Sequence, residues 1–143
     1  MKTVKHLLDD KGRAVFAVAP GDSVYQAITL MAERGVGALV VLDGGTLAGI
    51  ISERDYARKV ILQGRHSDTT AVREIMTTKV ICVAQERTVE ECMALMTDRR
   101  IRHLPVLEGG AVIGVISIGD VVRAVISDQR FTIEQLERYI TSS

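Results

Sequence analysis

The chain contains one long segment twice. Residues 15–61 align without a gap onto residues 80–126, and 19 of the 47 aligned pairs are identical. The identical pairs include Gly49 with Gly114, Ser52 with Ser117, and Asp55 with Asp120. A repeat of this length indicates a fold built from two copies of one supersecondary unit, in which a local site in one copy has a counterpart in the other.

Each copy opens with the pattern of a strand followed by an amphipathic helix. The β-rich stretches are residues 15–19 and 79–84. A capping box then marks a helix start, because side chains at this spacing satisfy free backbone amides. The capping pairs are Ser23 with Gln26, and Thr88 with Glu91. Gly35 is predicted to end the first helix, and Arg100 stands at the corresponding position of the second.

Two apolar runs in each copy surround a turn sequence. The turns are Asp43-Gly44-Gly45 and Glu108-Gly109-Gly110, and such sequences favour a tight β-hairpin. The runs barely alternate between apolar and polar residues, so we expect both faces of these strands to be buried. Since a unit of roughly 50 residues does not provide that cover alone, we predict an α/β (α+β) fold. Two β-α-β-β-α repeats would pack around a pseudo-twofold axis.

Composition divides the chain into four parts. The first repeat is assigned to residues 1–62 and the second to residues 72–127, with a linker rich in turn-forming residues at 63–71. Residues 128–143 follow, and apolar spacing between 131 and 140 predicts an extra amphipathic helix with Thr132 as its cap. This C-terminal helix would cover the core or dock on a second subunit.

Charge and composition exclude several partners. The 18 basic and 18 acidic residues balance, so no global field attracts nucleic acid. The longest strictly apolar run, residues 14–19, is far short of the roughly 20 residues that cross a membrane. Cys82 and Cys92 have no zinc or redox spacing. We therefore expect two packed thiols in a cytoplasmic protein.

A Ser-x-x-Asp motif ends the second apolar run of each copy, at Ser52 with Asp55 and at Ser117 with Asp120. Taken singly, each motif is a helix cap. A hydroxyl and free amides at a helix start also suit an anion, and the aspartate can accept two hydrogen bonds from a ribose diol. Because the motif occurs twice at related positions, it favours a ligand site.

A run of cations precedes the second hairpin and reads Arg99-Arg100-Ile101-Arg102-His103. Charge runs are commonly solvated edges. Arg102 and His103, however, directly precede a buried strand, where they could hold a phosphate. Pro105 lacks an amide donor and therefore indicates a position at a strand edge or beside a cleft.

Motifs for catalysis and metal binding are missing from the sequence. Ile50 stands where a P-loop requires lysine. The three histidines, His6, His66 and His103, lie far apart without a ligand at metal spacing. Ser117 is not on the tight turn of a hydrolase nucleophile. We therefore predict no catalytic residue and no metal site.

These motifs together resemble the cystathionine-β-synthase (CBS) domain pair, or Bateman module, and in particular bacterial stand-alone pairs that act in signal transduction. The matching segments are Val72-Arg73-Glu74-Ile75-Met76-Thr77, Arg102-His103-Leu104-Pro105-Val106, and the Gly-hydrophobic-Ile-Ser-x-x-Asp ending of both copies. The resemblance covers nearly all of residues 4–126.

The resemblance implies two clefts that bind adenosine-containing ligands such as AMP, ADP, ATP, NAD(H) or S-adenosylmethionine, and it implies a homodimer. Asp55 and Asp120 would hold ribose hydroxyls, with Ser52 and Ser117 beside them. The implied apolar walls are Val80, Ile101 and Ile116. The implied phosphate ligands are Arg54, Lys79, Arg102 and His103, and Thr78 and Gly119 complete the candidate set.

The two copies depart from this pattern unequally. Gly37 and Ala38 stand where the second copy has Arg102 and His103, and Gly119 stands opposite Arg54. The start of the first copy is also three residues longer. We expect one cleft to prefer a phosphorylated ligand and the other to be weaker, different or empty.

The leading hypothesis is a non-catalytic regulatory protein that binds AMP, another adenine nucleotide or NAD(H), and thereby changes the geometry of its dimer. It would sense energy or redox state. The alternative is a dimerisation adaptor with vestigial clefts, whose C-terminal helix recruits a partner protein.

Overall fold

The computed structural model describes residues 2–142 as a mixed α+β fold with a long C-terminal helix. The helices are α1 (Val4–Lys11), α2 (Val24–Arg34), α3 (Glu53–Tyr56), α4 (Val72–Ile75), α5 (Val89–Arg99) and α6 (Ile118–Ser142). The strands are β1 (Ala17–Val18), β2 (Ala38–Asp43), β3 (Thr46–Ser52), β4 (His103–Glu108) and β5 (Ala111–Ser117). A π-helical segment, Ala57–Ile61, continues α3.

The two predicted hairpins are confirmed. β2 pairs antiparallel with β3, and β4 pairs antiparallel with β5. All four turn glycines have positive φ, as a two-residue type I′ turn requires. Both hairpins also carry an irregularity at the same place, after Val41 and after Val106. The repeat therefore extends to fine detail of the backbone.

The first strand of each copy is shorter than the β-rich stretches predict. β1 has two residues and pairs parallel with β2. In the second copy a single parallel bridge joins Val83 to Val106. The first copy also pairs Ala17 with Val40, and the corresponding pair of the second copy is Cys82 with Pro105. That pair would need a hydrogen bond donated by the amide of residue 105. Proline has no amide hydrogen, so the ladder stops there.

Both central helices end in the same way, although only one ends at glycine. Gly35 and Arg100 follow α2 and α5 in the left-handed conformation, with φ of 64° and 54°. The amide of each donates to a carbonyl in the last turn, that of Met31 or Met96, which is a normal C-cap arrangement. The helix end expected at Gly35 is thus confirmed, and Arg100 adopts the same cap.

Each copy builds its core with the leading helix of the other. The exchanged residues are Val72 and Ile75 of α4 in the first core, and Val4, Leu7 and Leu8 of α1 in the second. Backbone hydrogen bonds fix both helices alike, since Val72 donates to the Asp22 carbonyl and Val4 to the Arg87 carbonyl, each at 2.8 Å. Burial of each such side chain contributes about 1.5–3 kcal/mol, so the halves stabilise each other.

The C-terminal segment corrects one prediction. α6 is a single helix of 25 residues, so the helix predicted at residues 131–140 is not separate from the one that begins after Ser117. Thr132 is not a cap, because its hydroxyl donates to the Asp128 carbonyl, 3.0 Å away, inside the helix. No proline lies beyond Pro105, and the last glycine is Gly119 in the first turn, so nothing interrupts the helix.

Candidate functional site

The first Ser-x-x-Asp motif lies where β3 runs into α3. The Ser52 hydroxyl accepts a hydrogen bond from the Asp55 amide at 3.2 Å, and the Asp55 carboxylate accepts from the Ser52 amide at 3.0 Å. Lys59, one turn further on, lies 3.0 Å from the other carboxylate oxygen and donates to the Ile75 carbonyl. The predicted helix cap is confirmed, and it holds the Asp55 side chain in one orientation.

Asp55 lies on the wall of a cavity of about 500 Å³ between the two copies. Eight of the predicted residues line it: Ser52, Arg54, Asp55, Lys79, Val80, Ile101, Arg102 and His103. Six lysine and arginine residues share this lining with two carboxylates. An excess of positive charge in a cleft concentrates anions. We call this cavity the open cleft.

Eight further lining residues were not predicted as site residues from the sequence: Gly37, Ile50, Glu53, Arg58, Lys59, Thr77, Ile81 and Arg100. Arg58 and Lys59 follow Asp55 by three and four residues, so helical spacing would have placed them on the same face. Arg100 belongs to the cation run, but its alignment with Gly35 indicated only a helix end. The left-handed backbone of Arg100 costs free energy for a residue other than glycine.

His103 lies where the two copies meet. A Cβ atom at Gly37 would lie 3.4 Å from the His103 Nε2 atom and 3.0 Å from a Glu53 carboxylate oxygen. Burial, assisted by the nearby charges of Lys11 and Arg102, lowers the pKa of His103, and the charge of Asp120 opposes them. A half-buried imidazole is therefore mostly neutral at pH 7 on the wall of the open cleft.

The second Ser-x-x-Asp motif has the same cap but different partners. Asp120 accepts a hydrogen bond from the Ser117 amide at 2.8 Å. Its two carboxylate oxygens also lie 2.7 Å from the Lys11 Nζ atom and 2.8 Å from an Arg123 guanidinium nitrogen. Burial raises the pKa of Asp120, but the hydrogen bonds from Lys11 and Ser117 outweigh burial and hold the pKa below its usual value.

Cations of the protein thus engage the Asp120 carboxylate, whose side chain is 8% exposed. Lys11 also donates to the Val115 carbonyl at 2.8 Å. The adjoining cavity, of about 320 Å³, is lined by Lys2, Leu7, Asp10, Lys11, Asp120, Arg123, Ala124 and Ser127. We call this region the latched cleft.

The remaining predicted residues lie outside the open cleft. Ile116 is fully buried in the second core and is not among the residues that line the open cleft. Thr78 is exposed beside the cleft and does not line it. Ser117 and Gly119 lie at the start of α6, where a side chain on Gly119 would meet the Arg123 guanidinium at 3.3 Å.

Residues 2–142 show no sign of a metal site or a membrane-spanning segment. Within that range, no three histidine, cysteine, aspartate or glutamate side chains are grouped to hold a metal ion. Over the same residues, no helix combines the length and the apolar character needed to cross a membrane. Burial raises the pKa of Cys82, and it raises that of Cys92 to about 11, so both thiols are protonated at neutral pH.

The family profile described as CBS domain matches this chain twice, at residues 8–62 and 72–127. A CBS domain-containing protein of Arabidopsis thaliana, the mitochondrial CBSX3, is 46% identical over 96% of this chain and 71% of its own length. The structure of a signal-transduction protein with CBS domains from Burkholderia ambifaria is 57% identical, with a TM-score of 0.86. It covers 90% of this chain and 96% of its own.

A more distant structure contains bound ligands. The CBS domain pair of protein MJ0100 was solved in complex with 5′-methylthioadenosine and S-adenosyl-L-methionine. It is 24% identical, has a TM-score of 0.80, and covers 90% of this chain and 98% of its own. At this identity the likeness concerns the fold alone.

Proposed function

The chain belongs to the CBS-domain family, and from that premise we propose that it is a regulatory protein whose open cleft binds a phosphorylated adenine nucleotide. CBS pairs generally bind adenine nucleotides or related ligands in regulation, and relatives of this chain are regulatory or signal-transduction proteins. The ligand class proposed here comprises AMP, ADP, ATP and NAD(H). The observation that carries the proposal is the Asp55 carboxylate and six cationic side chains around a single cavity, in which Glu53 is the only other acidic residue of the lining.

The Asp55 carboxylate is the proposed ribose ligand. Its neighbours Ser52 and Lys59 orient it from one side, and the same carboxylate lines the cavity. A ribose diol presents two hydroxyl donors, and a carboxylate offers up to four acceptor positions. Hydrogen bonds to a charged group contribute about 1.5–3 kcal/mol each, which makes Asp55 the residue with the largest expected effect on affinity.

Three cationic side chains and one imidazole are the proposed phosphate ligands: Arg54, Lys79, Arg102 and His103. They come from α3, from the segment after α4, and from the residues that enter β4. Guanidinium groups bind phosphate through paired hydrogen bonds. The apolar side chains of Val80 and Ile101 line the same cavity and are proposed to cover the adenine ring.

Two further parts of the proposal concern assembly and location. We propose that the chain forms a homodimer whose geometry changes with ligand occupancy; some related structures, such as a cyanobacterial CBS-CP12 protein, are described as hexameric. Ligand shifts that geometry only by its difference in affinity between two forms. The cytoplasmic location expected from the sequence stays a prediction.

A second candidate function is that of an adaptor whose clefts are vestigial. It is favoured by the large apolar side chains exposed along α6, among them Phe131, Ile133 and Leu136. Deletion of residues 129–143 would separate the two functions. The adaptor requires that partner capture be lost while adenylates neither bind the intact protein nor alter its assembly.

Isothermal titration of the purified protein with AMP, ATP and NADH tests the nucleotide proposal. Asp55→Ala is expected to weaken binding at least tenfold, about 1.4 kcal/mol. Asp120→Ala is the matched control, because it removes the aligned carboxylate in the latched cleft and is expected to leave affinity for the open cleft within about twofold. The proposal fails if no adenylate binds below millimolar concentration, or if Asp55→Ala binds as well as the wild type.

A further inference from the structure

One face of α6 carries an apolar stripe that the rest of the described chain leaves exposed. The stripe consists of Val122, Ile126, Gln129, Ile133, Leu136 and Ile140. Successive members are separated by four, three, four, three and four residues, which is the spacing of alternating a and d positions in a coiled coil. Five of the six are large apolar residues with at least 40% of their surface exposed.

The stripe is distinct from the face that α6 turns to the core. Val121 and Ala124 are buried in the second core, and Val125 packs against it. Consecutive residues of an α-helix are about 100° apart, so the stripe lies about a quarter of a turn from these positions. Residues 129–141 are exposed on every side. The apolar stripe therefore continues, at constant spacing, beyond the point where the body of the protein stops covering the helix.

We propose that the stripe is the seam of an antiparallel coiled coil formed with α6 of a second copy of this chain. The inference rests on the self-association proposed above and gives it a surface and an orientation. Residues whose numbers add up to 262 would share a layer. The layers are Val122 with Ile140, Ile126 with Leu136, and Gln129 with Ile133, each occurring twice across the twofold axis.

Charges beside the stripe favour the antiparallel orientation. On one flank, at the e positions, lie Arg123, Arg130 and Glu137, and on the other, at the g positions, lie Val125, Thr132 and Tyr139. Antiparallel pairing places e positions against e positions, so Glu137 of the second copy would lie between Arg123 and Arg130 of the first, and the two Arg130 side chains would meet near the twofold axis. Each Glu137 thus has two opposite charges beside it, against one like-charged pair in the whole dimer. Parallel pairing would place the same charges beside uncharged g residues.

The shape of the chain favours the same orientation. The rest of the protein packs against one face of only the first part of α6, and residues 129–141 project from it. The twofold axis would cross the seam at the level of residue 131 along the helix. Each body would then lie beside the projecting end of the other helix. The two bodies would be offset by roughly 27 Å, since a helix rises 1.5 Å per residue. A parallel pair would instead bring both bodies to the same level.

Sedimentation equilibrium of the full chain tests this inference. Ile133→Asp, in the central layers, is expected to raise the dimer dissociation constant at least a hundredfold. Phe131→Asp is the matched control, because it makes the same change on the same helix at a residue that is 62% exposed but lies off the stripe. Its dissociation constant is expected to stay within threefold of the wild type. Circular dichroism and ATP titration check that both variants are folded.

Two further measurements look for a gain or a recovery of dimer affinity. Gln129→Leu removes an amide from the seam and is expected to tighten the dimer at least fivefold. Arg130→Glu and Glu137→Arg are each expected to weaken it, whereas the triple variant Arg123→Glu/Arg130→Glu/Glu137→Arg reverses every charge at the e positions, restores the opposite pairs and should return to within about twofold of the wild type. A parallel seam does not predict this rescue.

The outcomes separate the two proposals. If the wild type is a monomer up to about 100 μM, the proposed self-association fails, whether or not nucleotide binds. If the wild type dimerises but Ile133→Asp dimerises equally well, or Phe131→Asp is the more disruptive variant, then the stripe is not the seam while self-association stands. Dimers weakened by Ile133→Asp without the charge-swap rescue overturn the antiparallel orientation.

Discussion

The open cleft and the latched cleft begin with the same residues and end as different sites. In both, a serine and an aspartate cap a helix that follows a buried strand. In the open cleft, α4 stops at Ile75, and Thr77 then forms a short antiparallel bridge with Ile50. In the latched cleft, the leading helix α1 continues to Lys11, whose ammonium donates to Val115 at the position corresponding to Ile50.

This comparison shows that the repeated units supply the aspartate, while the segment entering from the other half decides whether it is accessible. The leading segments align as Leu8-Asp9-Asp10-Lys11 and Met76-Thr77-Thr78-Lys79. Lys11 lies 2.7 Å from Asp120, whereas the aligned Lys79 lines the open cleft. The four residues by which α1 is longer than α4, residues 8–11, thus convert one potential ligand site into an internal ion pair.

The largest effect on stability is expected when a methyl group is added at Gly49 or Gly114. Each glycine lies against the chain segment that the other copy contributes, at Thr77 or Leu8. A Cβ at Gly49 would lie 2.8 Å from the Thr77 carbonyl oxygen, and one at Gly114 would lie 2.6 Å from a terminal methyl of Leu8. A backbone atom yields less readily than the end of a side chain. Gly49→Ala is therefore expected to lower the free energy of unfolding by about 2–3 kcal/mol, and Gly114→Ala by about 1 kcal/mol. Urea denaturation measures both free energies of unfolding. Equal losses would contradict the expected difference between a backbone contact at Gly49 and a side-chain contact at Gly114.

The aligned lysines provide the next comparison. Lys79→Ala is expected to weaken ATP binding about tenfold, or about 1.4 kcal/mol, because it removes a cation from the open cleft. Lys11→Ala leaves that cleft intact and exposes the Asp120 carboxylate, so titration should show unchanged affinity and a stoichiometry that rises from one towards two. A loss of affinity in Lys11→Ala as large as that in Lys79→Ala would rule out separate roles for the two lysines.

Local sequence signals predicted the local structure well. The glycine turns, the capping boxes and the Ser-x-x-Asp caps are all confirmed, because each depends on residues within four positions of one another. The exchange of leading helices was not predicted. It depends on contacts such as that of Leu8 with Gly114, more than a hundred residues apart, and the repeat itself aligns only from residue 15 onward.

The sequence predicted that the two clefts differ in their charged residues. It did not predict which of the two clefts contains most of the cations. Arg54 belongs to the first copy and Arg102 to the second, and the sequence alone places them in separate units. The fold brings both to the open cleft, since α3 of one copy faces the entry to β4 of the other. Lys11 was not a candidate at all, because its role depends on where α1 packs.

Acidification is expected to reduce the stability that the ion pairs of Asp120 contribute in the latched cleft. The pKa of Asp120 is lowered in the folded state, so its contribution to stability is complete above its unfolded pKa of about 3.8 and is lost as the pH falls through the folded value. At pH 7, Asp120→Asn is expected to reduce the free energy of unfolding by about 1 kcal/mol. As the pH falls through the lowered pKa of Asp120, the variant and the wild type should converge. A constant difference across the pH range would show that the ion pairs do not stabilise the fold.

The smallest expected change in stability concerns His103, which lies near both clefts. Its pKa is lowered in the folded state by burial, Lys11 and Arg102. A depressed histidine pKa means that the unfolded chain binds the proton more readily, so stability is complete above about pH 6.5 and declines as the pH falls towards the folded pKa. We expect a decline of less than about 1 kcal/mol, measured by urea denaturation at pH 7.5 and pH 5.5. It should be absent in His103→Gln.

Nucleotide should act on the same histidine in the opposite direction. A phosphate beside Arg102 and His103 would offset the positive charges that lower the pKa of His103, so the bound form would take up a proton more readily than the free form. By linkage, affinity for ATP must then increase as the pH falls from 7.5 to 6. His103→Gln should abolish that increase, whereas Lys11→Ala should preserve it. If affinity instead falls on acidification in the wild type, the phosphate does not lie beside His103, and the open cleft holds its ligand through the cations nearer Asp55.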